Sequence, residues 1–513
     1  MSLFIWPGTG RAEPDFVARW QKARLLPAAL CRWRFAPFGR AEPDFVARRQ
    51  SERAMPAQQA RLLPAALCRW RFAPFGPGGA RLRRAPVVTL LCALGTAVTA
   101  SSALAGELPV PTTGPSVGDG GVSAFYVWGG PLPARAGIML REEPLPKTQL
   151  QPAAARNIRV LYSSTDGVGD HERIAVSGAI YLPKETPPKA GWPIVAWAHG
   201  TTGIADVCAP SWQTRSQRDK EYLDAWLNHG FAVVATDYQG LGTPGMHPYL
   251  LWRSEGYSVL DAVRAALHRH PKQLRNEVIV AGQSQGSGAA LGATFLAPTY
   301  APELKILGTV ATGLVVTFRP AAGLKLPPKP VQYTDPTLMD PAYAILRIAG
   351  TDRSLHPNID TSEFVTEKGR GLLHAALTSC VHDLFELSAR ENLTGAQVFS
   401  GNLAAIDSDM EANFELPSAS LTVPIFVGTG LADGEAGTDQ QYNAVVGMCT
   451  AGTRVEWHTY PGLTHNGAVN VSLRDSLPFV QRLVAGQPIE GTCEHLAPLG
   501  PPQPADKTVP FNN

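Results

Sequence analysis

The sequence predicts an α/β fold: a mostly parallel central sheet with helices on both faces and one inserted cap. Three observations carry this expectation. Short apolar runs recur along the body of the chain, separated by stretches with helical spacing. The runs are continuously apolar rather than alternating, as strands covered on both faces must be. The rhythm breaks once, between about residues 313 and 417, and then resumes.

Taken in order, Ile174 to Leu182 (IAVSGAIYL) reads as a strand ended by Pro183, after a Pro/Gly-rich lead-in from Leu108 to Pro146. Trp192 to Ala198 (WPIVAWA) is a buried strand that stops at His199-Gly200. Helical spacing around Tyr222 to Leu227 ends at Asn228-His229-Gly230, a helix-stop signal. Phe231 to Thr236 is a further strand, and Ser258 to Leu267 an amphipathic helix. Glu277 to Ala281 (EVIVA) is a strand, and small residues after Ser284 open the next helix. Leu307 to Ala311, Pro424 to Val427 and Arg454 to Tyr460 complete the strand set. The interrupted stretch is rich in proline and has a helical patch near Leu372 to Ala389. An insertion there sits above the carboxyl ends of the strands, where such folds place their sites.

The front of the chain has a different character. Residues 1–80 contain a near-exact duplication (RAEPDFVAR and ARLLPAALCRWRFAPFG each occur twice) and read as a non-globular extension. Two copies make a poor solenoid. Arg81, Arg83 and Arg84 precede the apolar stretch Pro86 to Ala100 and the small-x-small pattern Ala103-Leu104-Ala105, so residues 81–105 read as a signal peptide cleaved after Ala105. Residues 1–105 hold 16 Lys and Arg against 5 Asp and Glu, although the whole chain is only +2, so the body is mildly acidic. Nothing in that balance calls for nucleic acid. The body keeps four cysteines (Cys208, Cys380, Cys449, Cys493), an even number that suggests two disulfides in an exported chain, with three connectivities open.

Gly282-Gln283-Ser284-Gln285-Gly286 fits G-x-S-x-G, and so does Gly114-Pro115-Ser116-Val117-Gly118. Only Ser284 stands between a strand and a small-residue helix, the setting that exposes a nucleophilic hydroxyl on a sharp turn. A serine needs a general base and a carboxylate to orient it. His465 follows the last strand in YPGLTH, and Asp433 follows PIFVGTGLAD, so the order Ser, acid, His of the α/β-hydrolase fold is met. Glu435 and Asp439 compete with Asp433 by proximity, and His458 lies inside a strand. Oxyanion donors are expected from the backbone N–H of Gln285 and from Thr201 in the loop HGTTG.

The body, over about residues 124–495, resembles the secretory lipase family of α/β-hydrolases. The likeness runs through AFY…AGIMLR, LYSSTD…AVSGAIYLP, PIVAWAHGTTG…CAPS, DYQGLGTPG, GQSQGS, PIFVGTGLAD and YPGLTHNG. The resemblance implies Ser284, Asp433 and His465 as triad, and disulfides Cys208–Cys380 and Cys449–Cys493. Two departures stand out: Ser287 replaces the glycine often found after the elbow, and the cap is only loosely similar. The implied activity is secreted carboxylic-ester hydrolysis through an acyl-enzyme, on lipid or small ester substrates, with transient contact at a lipid interface. A serine peptidase or acyltransferase on the same fold is the alternative within enzymes, and a non-catalytic binding protein the alternative outside them. No cofactor or metal is expected: His268-Arg269-His270 does not share a helix face, and Asp407-Ser-Asp409-Met-Glu411 lacks the turn glycine of a calcium loop. The expected organisation is core at 106–313, cap at 314–416, core again at 417–497 and a tail at 498–513.

Overall fold

The computed structural model describes residues 122–169, 172–319, 339–400, 403, 413–499 and 503–513. The duplicated extension, the signal peptide with its cleavage position, Ser116, Asp407, Asp409 and Glu411 lie outside the described residues. Among the described residues, no helix is long and apolar enough to cross a membrane.

Nine strands form one sheet: β1 (Met139–Pro144), β2 (Ala154–Thr165), β3 (Arg173–Pro183), β4 (Trp192–Ala198), β5 (Ala232–Thr236), β6 (Leu274–Gln283), β7 (Ile306–Thr312), β10 (Ile425–Gly430) and β11 (Val455–Tyr460). Their spatial order is β1-β2-β3-β5-β4-β6-β7-β10-β11. The first three strands pair antiparallel along one side, and everything from β5 to β11 is parallel. β1 and β2 are additions to the sequence reading. β1 is partly exposed at the sheet edge and carries Arg141, Glu142 and Glu143, so it has no apolar run to betray it.

The central stretches of the parallel strands are apolar on both faces because alternate side chains enter two different cores. Ile194, Ala196, Val234, Val278, Val280, Ile425 and Val427 pack on one face with helices α2 (Trp252–Arg269) and α3 (Gln285–Tyr300). Val195, Trp197, Val233, Ile279, Ala281 and Phe426 pack on the other with α1 (Gln217–Asn228). Each fully buried large side chain contributes roughly 1.5–3 kcal/mol.

After β4 the chain passes to β5 on one side, then crosses to β6 on the other. That reversal opens a crevice at the strands' carboxyl ends, where α/β sheets take ligands. The ends step little: Ala198 pairs with Gly282, Gln283 with Thr312 and Gly430 with Tyr460, while β10 runs two residues past β7, whose Thr312 pairs with Gly428. The loops after β4, β6, β7, β10 and β11 therefore all emerge at the same edge of the sheet. Between β7 and β10, the described part of the inserted segment has its own apolar cluster, built on α4 (Pro341–Leu346), α5 (Arg370–Thr378) and α6 (Val381–Arg390). Two short strands, β8 (Thr317–Phe318) and β9 (Glu415–Leu416), pair in parallel at its base.

Candidate active site

Ser284 sits between the last residue of β6 and the first of α3 with φ +57° and ψ −124°. L residues rarely occupy that region, and such strain persists only where the surroundings over-determine it. Here the Ser284 N–H donates to the Thr312 carbonyl of the neighbouring strand at 3.0 Å. The flanking glycines have a spatial cause. A Cβ on Gly282 would lie 1.9 Å from the Gly286 carbonyl oxygen, and one on Gly286 would lie 1.9 Å from that of Ala198. The elbow is thus pressed against the end of β4, where the HGTTG loop begins. Ser287 donates to the Ser284 carbonyl at 2.6 Å and accepts from the Val315 N–H at 2.8 Å. It ties the elbow to the loop after β7.

His465 is 3% and Asp433 5% exposed, and Nδ1–H of the imidazole donates to Oδ2 of the carboxylate at 2.8 Å. The carboxylate is otherwise saturated. Its Oδ1 accepts the backbone N–H groups of Glu435 and Ala436 at 2.9 and 3.0 Å, and its Oδ2 also accepts the Gln441 amide at 2.7 Å. Burial alone would raise the Asp433 pKa, but the hydrogen bond and charge of His465 outweigh it and hold the carboxyl below its ordinary value. Burial alone would likewise lower His465, and the bond to Asp433 with its charge holds the imidazole above its ordinary value. Fixing the proton on Nδ1 leaves Nε2 as the basic nitrogen.

Ser284, His465 and Thr201 line one cavity of about 1170 Å³, with Met339, Tyr343 and Phe385 contributed by the inserted segment. Asp433 stands behind His465, and Gln285 adjoins Ser284 in the chain. Of the competing acids, Glu435 accepts from the Tyr343 hydroxyl at 2.6 Å, and Asp439 lies in the first turn of the helix Thr438–Thr450. His458 stacks on Phe426 within the sheet. The cysteines pair Cys208–Cys380 and Cys449–Cys493. The first bond joins the inserted segment to the loop after β4, where the Val381 N–H also donates to the Thr202 carbonyl at 2.9 Å. The second holds the end of the helix Thr438–Thr450 beside β11, away from the cavity.

Three supporting residues carry no local signal in the sequence. Gly313, φ +54°, faces the His465 ring: a Cβ there would come within 2.6 Å of Cε1. Gln441 reaches Asp433 from the following helix. Asn512 reaches back from residues 503–513 to the loop bearing His465, where its Oδ1 accepts the Thr464 N–H at 2.6 Å and its Nδ2 donates to the Gly462 carbonyl at 2.8 Å. Only Gly313, directly after a strand, lies where a glycine invites the question.

Comparison with known proteins agrees with this architecture. The family described as secretory lipase matches residues 209–489, more than half of the chain. Lipase A of Moesziomyces aphidis is 23% identical over 360 residues, covering 65% of this chain and 73% of the relative. The secreted triacylglycerol lipase LIP2 of Malassezia furfur is 23% identical over 309 residues, covering 56% and 63%. Among solved structures, closed-state Candida antarctica lipase A superposes with TM-score 0.57 at 19% identity, over 75% of this chain and 92% of that one. The rice cell wall degrading esterase LipA from Xanthomonas oryzae, in a ligand-bound form, superposes with TM-score 0.52 at 17% identity, over 69% and 100%. Those two likenesses speak for the α/β-hydrolase fold. With the family match spanning β5, β6, β7, β10 and β11 and the loops that carry Ser284, Asp433 and His465, the chain belongs to the secretory lipase family and is a carboxylic ester hydrolase.

Proposed function

We propose that the protein is a secreted lipase or esterase that cleaves acyl esters through an acyl-enzyme on Ser284. The observation that carries this reading is the buried Asp433–His465 pair, 2.8 Å apart, opening onto the same cavity as a serine held at φ +57°. In it, His465 Nε2 takes the Ser284 Oγ proton as the hydroxyl attacks the ester carbonyl. The backbone N–H groups of Gln285 and Thr201 receive the oxyanion. The alcohol then leaves with the proton from His465, and water, activated by the same nitrogen, releases the acid. Asp433 keeps the imidazole in the required tautomer and offsets the charge it gains.

The inserted segment serves as the cap. Its Met339, Tyr343, Val381 and Phe385 on the cavity wall give an apolar face suited to acyl chains and to transient contact with a lipid surface. Two disulfides and the family's secretory character support export, with the leader removed after Ala105; intact mass of the exported protein measures that position.

A fluorophosphonate probe labels the protein on Ser284, and Ser284→Ala abolishes both labelling and ester turnover. Retained turnover in that variant overturns the assignment. p-Nitrophenyl esters of increasing chain length, set beside aminoacyl p-nitroanilides, separate ester hydrolysis from peptidase chemistry.

A further inference from the structure

An oxyanion donor that acts through its backbone N–H needs no side chain, yet the residue after Ser284 is a glutamine whose side chain is buried, with 1% of the residue exposed. Its amide nitrogen is fully engaged. One N–H donates to Glu255 Oε1 at 2.7 Å, the other to His247 Nε2 at 2.9 Å. His247 Nδ1 faces the Gln239 carbonyl at 2.8 Å, so that nitrogen carries the proton and Nε2 presents a lone pair. Turning the Gln285 amide over would set its oxygen against that lone pair and a carboxyl oxygen. The observed orientation bonds both amide N–H groups and leaves the amide oxygen buried without a partner.

The anchors are themselves fixed. Glu255, in the first turn of α2, also accepts the Leu250 N–H at 3.0 Å, and Leu250 stands at φ +64°. Helices α2 and α3 approach backbone to backbone at Gly256 and Gly292: a Cβ on Gly292 would lie 2.6 Å from the Trp252 carbonyl oxygen. Between His247 and Glu255 lies Tyr249, whose hydroxyl bonds to Thr201 Oγ1 at 2.8 Å. One stretch of nine residues thus holds the side chains of both residues whose N–H groups face the developing oxyanion. Burial pushes the Glu255 carboxyl up to about 8 and the His247 imidazole down to about 3, so near neutral pH these two anchors put little charge beside that site.

We propose that His247, Tyr249 and Glu255 form a positioning bracket that sets the register of the two oxyanion donors, gripping Gln285 through its amide and Thr201 through its hydroxyl. The proposal rests on the reading of Ser284 as nucleophile. Because hydrogen bonds to an oxyanion strengthen only as charge develops, loosening the bracket acts on kcat rather than KM.

The test is steady-state hydrolysis of p-nitrophenyl butyrate by the full chain, with thermal midpoints recorded alongside. Glu255→Leu lowers kcat on the order of 10–100-fold and leaves KM within about twofold. Glu255→Gln, which keeps an oxygen to accept both N–H groups, recovers kcat to within about fivefold of wild type. Gln285→Leu, which also gives up His247, loses at least as much as Glu255→Leu, and the double variant is no worse than Gln285→Leu alone, since that substitution already cuts the Glu255 connection. Affinity for a boronic acid transition-state analogue falls in step with kcat. If Glu255→Leu does not accumulate folded, Gln285→Leu and Tyr249→Phe carry the same comparison. A folded Glu255→Leu with kcat within twofold of wild type overturns the bracket while leaving Ser284 intact, as do losses that multiply in the double variant. Ester turnover that survives Ser284→Ala removes the nucleophile assignment and the bracket together.

Discussion

Gly313 shows how a single absent side chain serves the site, because its missing Cβ leaves the space that the His465 ring occupies. Gly313→Ala adds a methyl within 2.6 Å of the ring and a strained φ, and the ring is the mobile partner. Strain of about 1–2 kcal/mol is expected in stability, and kcat falls at least roughly 10-fold because the base is displaced. Midpoint and kcat measured on one preparation separate the two effects. The Asp433–His465 pair sets the pH response. The base must be unprotonated to take the serine proton, and its pKa stands above the ordinary 6.5. Activity is therefore lost as pH falls through that raised value, and the acid limb of kcat/KM has its midpoint above 6.5. A limb at or below 6.5 contradicts the raised pKa of His465. At this scale the candidates Ser284, Asp433 and His465 could be picked out because each lies in the turn or loop that follows its own strand. Gly313 and Asn512 were not, since the group each one serves comes from a distant part of the chain, and Gln441 was not, since nothing in the sequence sets it apart from the neighbouring Gln440 on the same helix.

Among the elements, the two disulfides close loops of different length and touch different things. The chain-entropy account assigns about 5 kcal/mol to Cys208–Cys380, separated by 172 residues, and about 4 kcal/mol to Cys449–Cys493, separated by 44. Replacing either pair with serine should therefore lower the midpoint by similar amounts. Only the Cys208/Cys380 double variant should also lower kcat, because that bond and the Val381–Thr202 hydrogen bond fasten the inserted segment to the HGTTG loop. Equal kcat in the two double variants would refute that link. Element boundaries were legible where every residue of a strand is apolar, as for Trp192–Ala198, whereas β10 runs three residues past the expected Val427 because Gly428, Thr429 and Gly430 give no apolar signal. β1 escaped because an edge strand may carry charge on its open side, and the early turns of α2 because Ser254, Glu255 and Gly256 serve contacts rather than a hydrophobic stripe.

For the molecule as a whole, the alternation of strand and helix is a local pattern and could be read residue by residue, whereas closure of the site depends on which remote segments meet. The residues that reach back to the His465 loop are the plainest case. Asn512 bonds to Thr464 and Gly462 and fills the space a Cβ on Gly467 would need, while Val509 packs with Tyr460 and Leu463. Removing residues 503–513 should cut kcat on the order of 10-fold or more while sparing the sheet, whose cores those residues do not enter. The same segment is short enough to synthesise. A peptide spanning residues 503–513, added to the truncated protein, should restore turnover in a saturable way, and an Asn512→Ala peptide should not. The base-bearing loop would then behave as one half of a split reporter, with ester hydrolysis as its signal and an eleven-residue tag as its trigger.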